Sequence, residues 1–268
     1  MTWPPKISIV TPSLNQGRYL EQTIMSVLAQ GYPNLEYLVL DGGSTDTSIA
    51  IIQRHEQSLA YWHSKADRGQ ADAINRGLKR ATGELCAYLN SDDKLIEGSL
   101  WKMAYLARKF PECEVFFGAN HIHYEDGGVI YHCPRPWLPG EGAGFLQDAT
   151  FWRRSLHDRI GYFDEGLQFA LCNDLFTRAI IHCRTLFHSE PMSIIRNHPA
   201  SKTSTLGDVA RAEGERLREQ YATFHSPLAW RSRARMLRLV AGCTAKLGRR
   251  WAKLIWRIEM PPILRGGS

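Results

Sequence analysis

Long apolar runs are missing from this 268-residue chain. None reaches the roughly 18 residues that a membrane-spanning helix requires. The start, MTWPPKISIV, has no apolar stretch behind a basic head, so no secretory signal is expected and the expected compartment is the cytoplasm. Cysteine is sparse. The six residues Cys86, Cys113, Cys133, Cys172, Cys183 and Cys243 show no close pair of the kind that zinc sites and redox motifs use. Neither disulfides nor structural zinc are expected. Internal repeats and low-complexity segments are absent too, which excludes solenoids and disordered tails of biased composition.

What is present is ordinary in amount and uneven in placement. Hydrophobic residues make up 44% and charged residues 22%, enough apolar material for a sizeable core. The formal charge is +6, yet ten of the 33 Lys and Arg, and only one of the 27 acidic residues, lie from position 226 onward. The first 225 residues are therefore net acidic, and the basicity belongs to the C-terminal segment. That pattern argues against a nucleic-acid-binding globular face and for a tail that meets something anionic.

Apolar periodicity organises the first part of the chain. Short runs over 6–10, 35–40, 60–64 and 85–89 read as strands. Between them, helical spacing at Leu20, Ile24, Val27 and Leu28, and patterns over 47–59 and 70–82, read as helices. Strand and helix alternate as they do in βαβ units, so an α/β fold with a mostly parallel central sheet is expected. The later part is less regular. Helices are expected over 97–108 and 169–181, a hairpin around Asp126-Gly127-Gly128, and strands over 114–118, 145–152 and 192–196. Parallel sheets bind ligands beyond the carboxyl ends of their strands. Polar clusters lie at three such ends: Thr11–Asn15, Asp41–Asp46 and Asn90–Asp93.

The segments TPSLNQGRYLEQTIMSVLAQGYPNLEYLVLDGGSTD, KADRGQADAINRGLKRATGELCAYLNSDD, QDATFWRRSLHDRIGYFDEGLQF and IIRNHPASKTS, in this order, resemble the family 2 glycosyltransferases of GT-A fold. The resemblance covers roughly residues 6–205. It implies a Rossmann-like GT-A domain, placed over 1–225, that transfers a sugar with inversion from a nucleotide-diphosphate sugar to an acceptor hydroxyl. It also implies a UDP-sugar donor, Mn²⁺ or Mg²⁺ as cofactor, and a glycan or lipid-linked acceptor in cell-surface polysaccharide synthesis.

Residue by residue, the resemblance makes Ser91-Asp92-Asp93 the counterpart of the D-x-D motif, with Asp93 a metal ligand and Asp92 beside the ribose or metal. Hard carboxylate oxygens suit such cations. Taken alone, the same residues suit a polar turn. Thr11, Pro12, Ser13 and Asn15 are expected to line the nucleoside site. Asp41 is expected to accept a base N–H, or to form the Asx turn of D-G-G-S. Lys65, Asp67, Gly69 and Gln70 form a donor-side loop entering a helix, whose N-terminus attracts anions. Lys65 departs from the acidic residue often found there. Asn75 either bonds the donor or braces the loop. His198 is expected at the metal or diphosphate, with a structural role as the alternative, and Arg196 and Lys202 are possible phosphate contacts.

The acceptor hydroxyl must lose a proton, which calls for a base. If Leu175 and Arg178 set the register, Cys172 stands where the family keeps its base and Asp174 lies two residues beyond. The expectation puts the base on Asp174. Its alternatives are a helix-N-terminal Asp favoured by the dipole, or a chain of impaired chemistry that only binds its donor or a partner. Asp148 is a second carboxylate expected on the acceptor side. Trp137, Phe151 and Trp152 form either a sugar-stacking platform or part of the core.

From Arg233 to Ile258, the residues Met236, Val240, Cys243, Leu247, Trp251, Leu254 and Ile258 recur at helical offsets among basic residues. Such a helix over 226–268 is expected on an anionic membrane surface, at the inner face of the plasma membrane. Docking on the catalytic domain or a second subunit is the alternative.

Overall fold

The computed structural model describes residues 3–134 and 147–221. All seven residues of β1 (Ile7–Ser13) are buried, as befits a strand covered on both faces. It runs parallel to β2 (Leu35–Asp41) on one side and β4 (Leu85–Tyr88) on the other, and β2 runs parallel to β3 (Tyr61–Ser64). The expected alternation is therefore observed through the first 90 or so residues. The strand ends are aligned: Ser13 is level with Asp41, and Asp41 with Ser64. That alignment gathers the polar clusters at one sheet edge.

The helices cover both faces. α1 (Leu20–Leu28) turns Leu20, Ile24 and Val27 onto the sheet. Together with α2 (Ser48–His55) and α4 (Ser99–Lys109), it encloses one apolar cluster. α3 (Gln70–Arg80) covers the opposite face with Ala71, Ile74 and Leu78. A side chain at Gly77 would put its Cβ 2.5 Å from Val10 Cγ1, so glycine sets how closely α3 lies on the sheet.

Beyond β4 the sheet changes character. β5 (Lys94–Leu95), β6 (Val115–Tyr124), β7 (Val129–His132), β8 (Thr150–Arg153) and β9 (Thr185–Asn197) complete the order β3-β2-β1-β4-β8-β6-β9-β5, with β7 on β6. β8 enters antiparallel to both β4 and β6, β5 is antiparallel to β9, and only β6–β9 is parallel in this half. The sheet is thus mixed and largely parallel, as expected, with its parallel pairing concentrated in the first half. β8, which follows a 3-10 turn (Gln147–Ala149), supplies two of the antiparallel pairings.

α5 (Leu156–Ile160), α6 (Leu171–His182), α7 (Lys202–Thr205) and α8 (Gly207–Gln220) complete the described chain. α8 has no apolar stripe, and Leu217 is its one buried residue. Glu213 anchors it instead, accepting the backbone N–H groups of Gln168, Phe169 and Ala170 ahead of α6 at 2.7–2.9 Å. Phe151 and Trp152 are fully buried, so they belong to the core and not to a stacking platform. Trp137 and the 226–268 tail lie outside the described residues. Among the described residues, the five cysteines are free thiols, and no helix is long and apolar enough to cross a membrane.

Candidate functional site

The carboxyl edge of β1–β4 is braced by short polar loops. Asp41 is fully buried, and both of its carboxylate oxygens are engaged. They accept the N–H groups of Gly43 and Ser44 at 3.1 and 2.9 Å, and the hydroxyls of Ser44 and Ser64 at 2.5 and 2.6 Å. Asp41 is the Asx-turn residue of D-G-G-S, and its bonding leaves little capacity for a base N–H. Asn15, at φ 53°, ties the β1 loop to the β2 loop. Its N–H meets Ser44 Oγ at 2.7 Å, and its Oδ1 accepts the Thr45 N–H at 2.9 Å.

Thr11 is also spent inside, its hydroxyl 3.1 Å from that of Tyr37. The buried Ser13 Oγ has no partner among the described residues, leaving a hydroxyl for a ligand between these loops. Pro12 is buried beside it, and Asn15 is exposed. On the facing side, a Cβ on Gly42 would fall 2.7 Å from Asp67 Oδ2, so the absence of a side chain there admits the Asp67 carboxylate. Asp67 Oδ1 accepts the Gly69 N–H at 2.8 Å, with Gly69 at φ 116° opening α3. Lys65 is exposed.

Asp92 and Asp93 follow β4. Asp93 is buried and accepts the Arg196 N–H at 3.1 Å and an Asn90 amide hydrogen at 3.2 Å. Burial, then the charges of Asp92 and Asp148, push its carboxyl well above the ordinary value. Asp92 Oδ2 lies 3.1 Å from His198 Nε2. The Tyr19 ring packs on the His198 ring at 4.7 Å, with the Arg196 guanidinium 4.8 Å from its centre. Arg196 Nε also donates to the Asp92 carbonyl.

A chain of polar contacts runs from this corner to α7. Asn90 Oδ1 accepts from Gln70 Nε2 at 2.7 Å, and Gln70 Oε1 accepts from the Lys202 ammonium at 2.7 Å. The roles of Asn90, Tyr19 and Lys202 in this corner join residues some 70 to 180 positions apart, and no local pattern announces them.

Among the described residues, no group of three or more His, Cys, Asp or Glu converges as a metal cage. The donor set nevertheless fits Mn²⁺ or Mg²⁺. Such ions commonly take one or two protein carboxylates and complete their shell with substrate phosphates and water. Two adjacent carboxylates, one of them held toward protonation by burial and then by the neighbouring acidic charges, match that pattern. Asp92 and Asp93, with His198 beside them, are the residues able to hold the ion.

The bonding of the remaining candidates bears on their alternatives. Asn75 is a brace: its amide donates to the Phe163 carbonyl and Glu165 and accepts the Phe163 N–H, which uses both ends. Asp174 has both carboxylate oxygens engaged. It is buried in α6, with Oδ2 paired to Arg178 Nε and Nη2 at 3.0 and 2.5 Å and Oδ1 to the Tyr221 hydroxyl at 2.5 Å. Helical geometry turns Cys172, two residues earlier, toward a different face. There its thiol meets the Tyr88 hydroxyl and feels Lys202 and Asp148, while burial pushes it up to about 12. It is a thiol, not a thiolate, at neutral pH. Asp148 does lie near Asp93. Burial raises its carboxyl to about 6, against hydrogen bonds from Ser193 and Asn120.

The family described as Glycosyl transferase family 2 matches residues 8–168. An uncharacterized glycosyltransferase of Mycobacterium tuberculosis is 33% identical over 200 residues, covering 72% of this chain and 74% of that one. A Bacillus subtilis protein, TuaG, provisionally named a teichuronic acid biosynthesis glycosyltransferase, is 38% identical over 129 residues, or 47% of this chain and 50% of its own. Among solved structures, S. aureus TarS 1–349 with UDP-GlcNAc superposes with a TM-score of 0.62 at 20% identity. The match covers 75% of this chain and 61% of that one, so the chain spans about three-fifths of it. The mannosyltransferase PcManGT of Pyrobaculum calidifontis, with GDP-Man and Mn²⁺, gives 0.60 at 17% identity, covering 83% and 65%. At these identities the structural likenesses establish the fold.

Proposed function

The chain belongs to the family 2 glycosyltransferases, and from that premise we propose that it moves a sugar, with inversion, from a nucleotide-diphosphate sugar to an acceptor hydroxyl. The single observation that carries the reading is the Asp93 carboxyl, buried at the mouth of a parallel sheet beside Asp92 and Asp148 and held against its own ionisation. A carboxylate crowded in this way gains most from a bound cation. The donor is a UDP-sugar in this reading, seated between the Pro12–Asn15 loop and Asp67, with Gly69 and Gln70 toward the diphosphate and Lys65 at its exposed rim.

Asp93, with Asp92 and His198, would hold Mn²⁺ or Mg²⁺, which when bound offsets the charge gathering on the leaving diphosphate. Asp148 takes the acceptor proton. Burial brings its carboxyl to about 6, a strength suited to a base, while Asp174 is paired and Cys172 is a neutral thiol. Residues 1–225 form the transferase domain. The basic 226–268 segment meets an anionic membrane at its inner face, which suits a lipid-linked acceptor in surface polysaccharide synthesis.

The test is transfer from a panel of UDP- and GDP-sugars with and without Mn²⁺. Asp93→Asn is expected to lower turnover by roughly a thousandfold and to remove the manganese dependence of donor binding. Full activity of that variant in the presence of chelator would refute the assignment. A second reading is favoured by the neutral thiol at Cys172: a protein that binds the sugar nucleotide without transferring it. It predicts calorimetric donor binding and no turnover with any acceptor.

A further inference from the structure

The registers of β5, β9, β6 and β7 place two rows of side chains on one face of the sheet. One row is Lys94, Ile194, His121 and Tyr131, and the next is Arg196, His123 and Val129. Asn120 and Ser193 alternate onto the opposite face, where they hold Asp148. The first face thus collects two cations and two imidazoles. The His121 and His123 rings are 6.3 Å apart. Burial and the neighbouring His121 and Lys94 hold the His123 imidazole below its ordinary value.

Their bonding capacity is open. Among the described residues, the side chains of Lys94, His121 and His123 have no hydrogen-bond or ion-pair partner, and His121 Nδ1 and Arg196 Nη2 are buried without one. Glu125, at the hairpin tip, is bonded to Arg18 at 3.2 Å and to the Tyr19 hydroxyl at 3.3 Å, while the charges of Asp93 and Asp92 act on Arg196. Lys94 and the two imidazoles are left without a carboxylate partner among the described residues, and a folded protein seldom leaves half-buried polar groups together without one.

We propose that Lys94, His121, His123 and the open Nη2 of Arg196 form an anion-binding shelf that takes a phosphate group carried by the acceptor. Donors from four residues suit a group with several oxygens better than a two-oxygen carboxylate. Two adjacent cations disfavour a metal ion between the histidines. The transferase reading supplies what carries the phosphate. Binding of phosphate itself does not depend on it.

The full chain is titrated with glycerol phosphate, in EDTA and with saturating nucleoside diphosphate, while the imidazole NMR signals of His121 and His123 are followed. Saturable shifts that survive the nucleotide are expected. Lys94→Gln and His123→Asn should each weaken binding by roughly tenfold. Shifts abolished by the nucleotide would show that the phosphate had only occupied the donor site, and would overturn the proposal. So would absent shifts, or shifts produced by Zn²⁺ and not by phosphate. Co-sedimentation with phosphatidylglycerol vesicles separates the sources. If the same variants lose vesicle binding, the phosphate is that of a lipid headgroup. If they lose only glycerol phosphate, it belongs to a soluble or polymeric acceptor. Should transfer never be observed while the shelf still binds phosphate, only the transferase reading fails.

Discussion

The two halves of the sheet hold their site carboxylates by different means. In the first, Asp41 and Asp67 bond backbone N–H groups two or three residues ahead. In the second, Asp148 reaches partners 28 and 45 positions away, and Asp174 reaches Tyr221 across 47. Local bonding writes itself into short motifs such as D-G-G-S and D-R-G-Q. Long-range bonding leaves no motif, because any of dozens of positions can supply the partner. The partners of Asp41 and Asp67 are accordingly legible as a local pattern, and those of Asp148 and Asp174 are not.

The comparison is broken most directly at Asp148. Asp148→Asn is expected to lower kcat by about 10²- to 10⁴-fold, the usual worth of a positioned base, with donor affinity nearly unchanged. In the unaltered protein, kcat/KM should fall as pH drops below about 6, where Asp148 takes up a proton and loses the role proposed for it. A pH profile that stays flat across that value would take the role away from Asp148.

How much was readable can be argued from particular residues. β1, β2 and α3 announced themselves because burial on one or both faces forces an apolar period. The parallel half and its three polar edges followed. α8 could not be read: its sequence, GDVARAEGERLREQ, is polar all round, and its docking rests on Glu213 and the α6 amides. β9 was recognised only over 192–196 because charged residues and Pro191 interrupt its thirteen residues. At the site, Asp93 and its neighbours were identified as candidates. Asn75 and Asp41 were not resolved between binding and bracing, since one amide or carboxylate suits both until its partners are known.

Asp174 sharpens the contrast on stability. It is a long-range brace, so Asp174→Asn should leave catalysis per folded molecule near normal. It also strips Arg178 of its buried charge partner and weakens the hold on Tyr221. Loss of a buried pair costs about 3 kcal/mol, which corresponds to roughly 10 °C in Tm for a domain of this size. A calorimetric scan reads this. Loss of activity with unchanged Tm would return Asp174 to the chemistry.

Glu36 is the first half's exception, since its partners lie up to 46 positions away. It sits at the opposite sheet edge from the site, near the starts of β1 and β2. Burial would raise its carboxyl, but hydrogen bonds from Lys6, Ser8 and Thr82 offset this and bring it from 4.5 down to about 2. A depressed carboxyl stabilises the fold above its unfolded value and loses that contribution as pH falls through the folded one. Glu36→Gln should therefore remove on the order of 2–3 kcal/mol at neutral pH and flatten acid unfolding between pH 4.5 and 2. Unaltered acid unfolding would mean that these bonds do not hold the carboxyl down.

The smallest effect is expected at Cys172, where the second half leaves the family pattern. Its thiol is pushed up to about 12 by burial and paired with the Tyr88 hydroxyl. A protonated thiol neither accepts the acceptor's proton nor reacts readily with electrophiles. Cys172→Ser keeps a hydroxyl facing Tyr88 and should change kcat/KM by less than about threefold, in line with a substitution that opens no cavity and buries no unpaired charge. Iodoacetamide at neutral pH should spare activity for the same reason. If the serine variant or the alkylated protein loses most of its transfer, the proton leaves through this position, and Asp148 becomes a brace like Asp174.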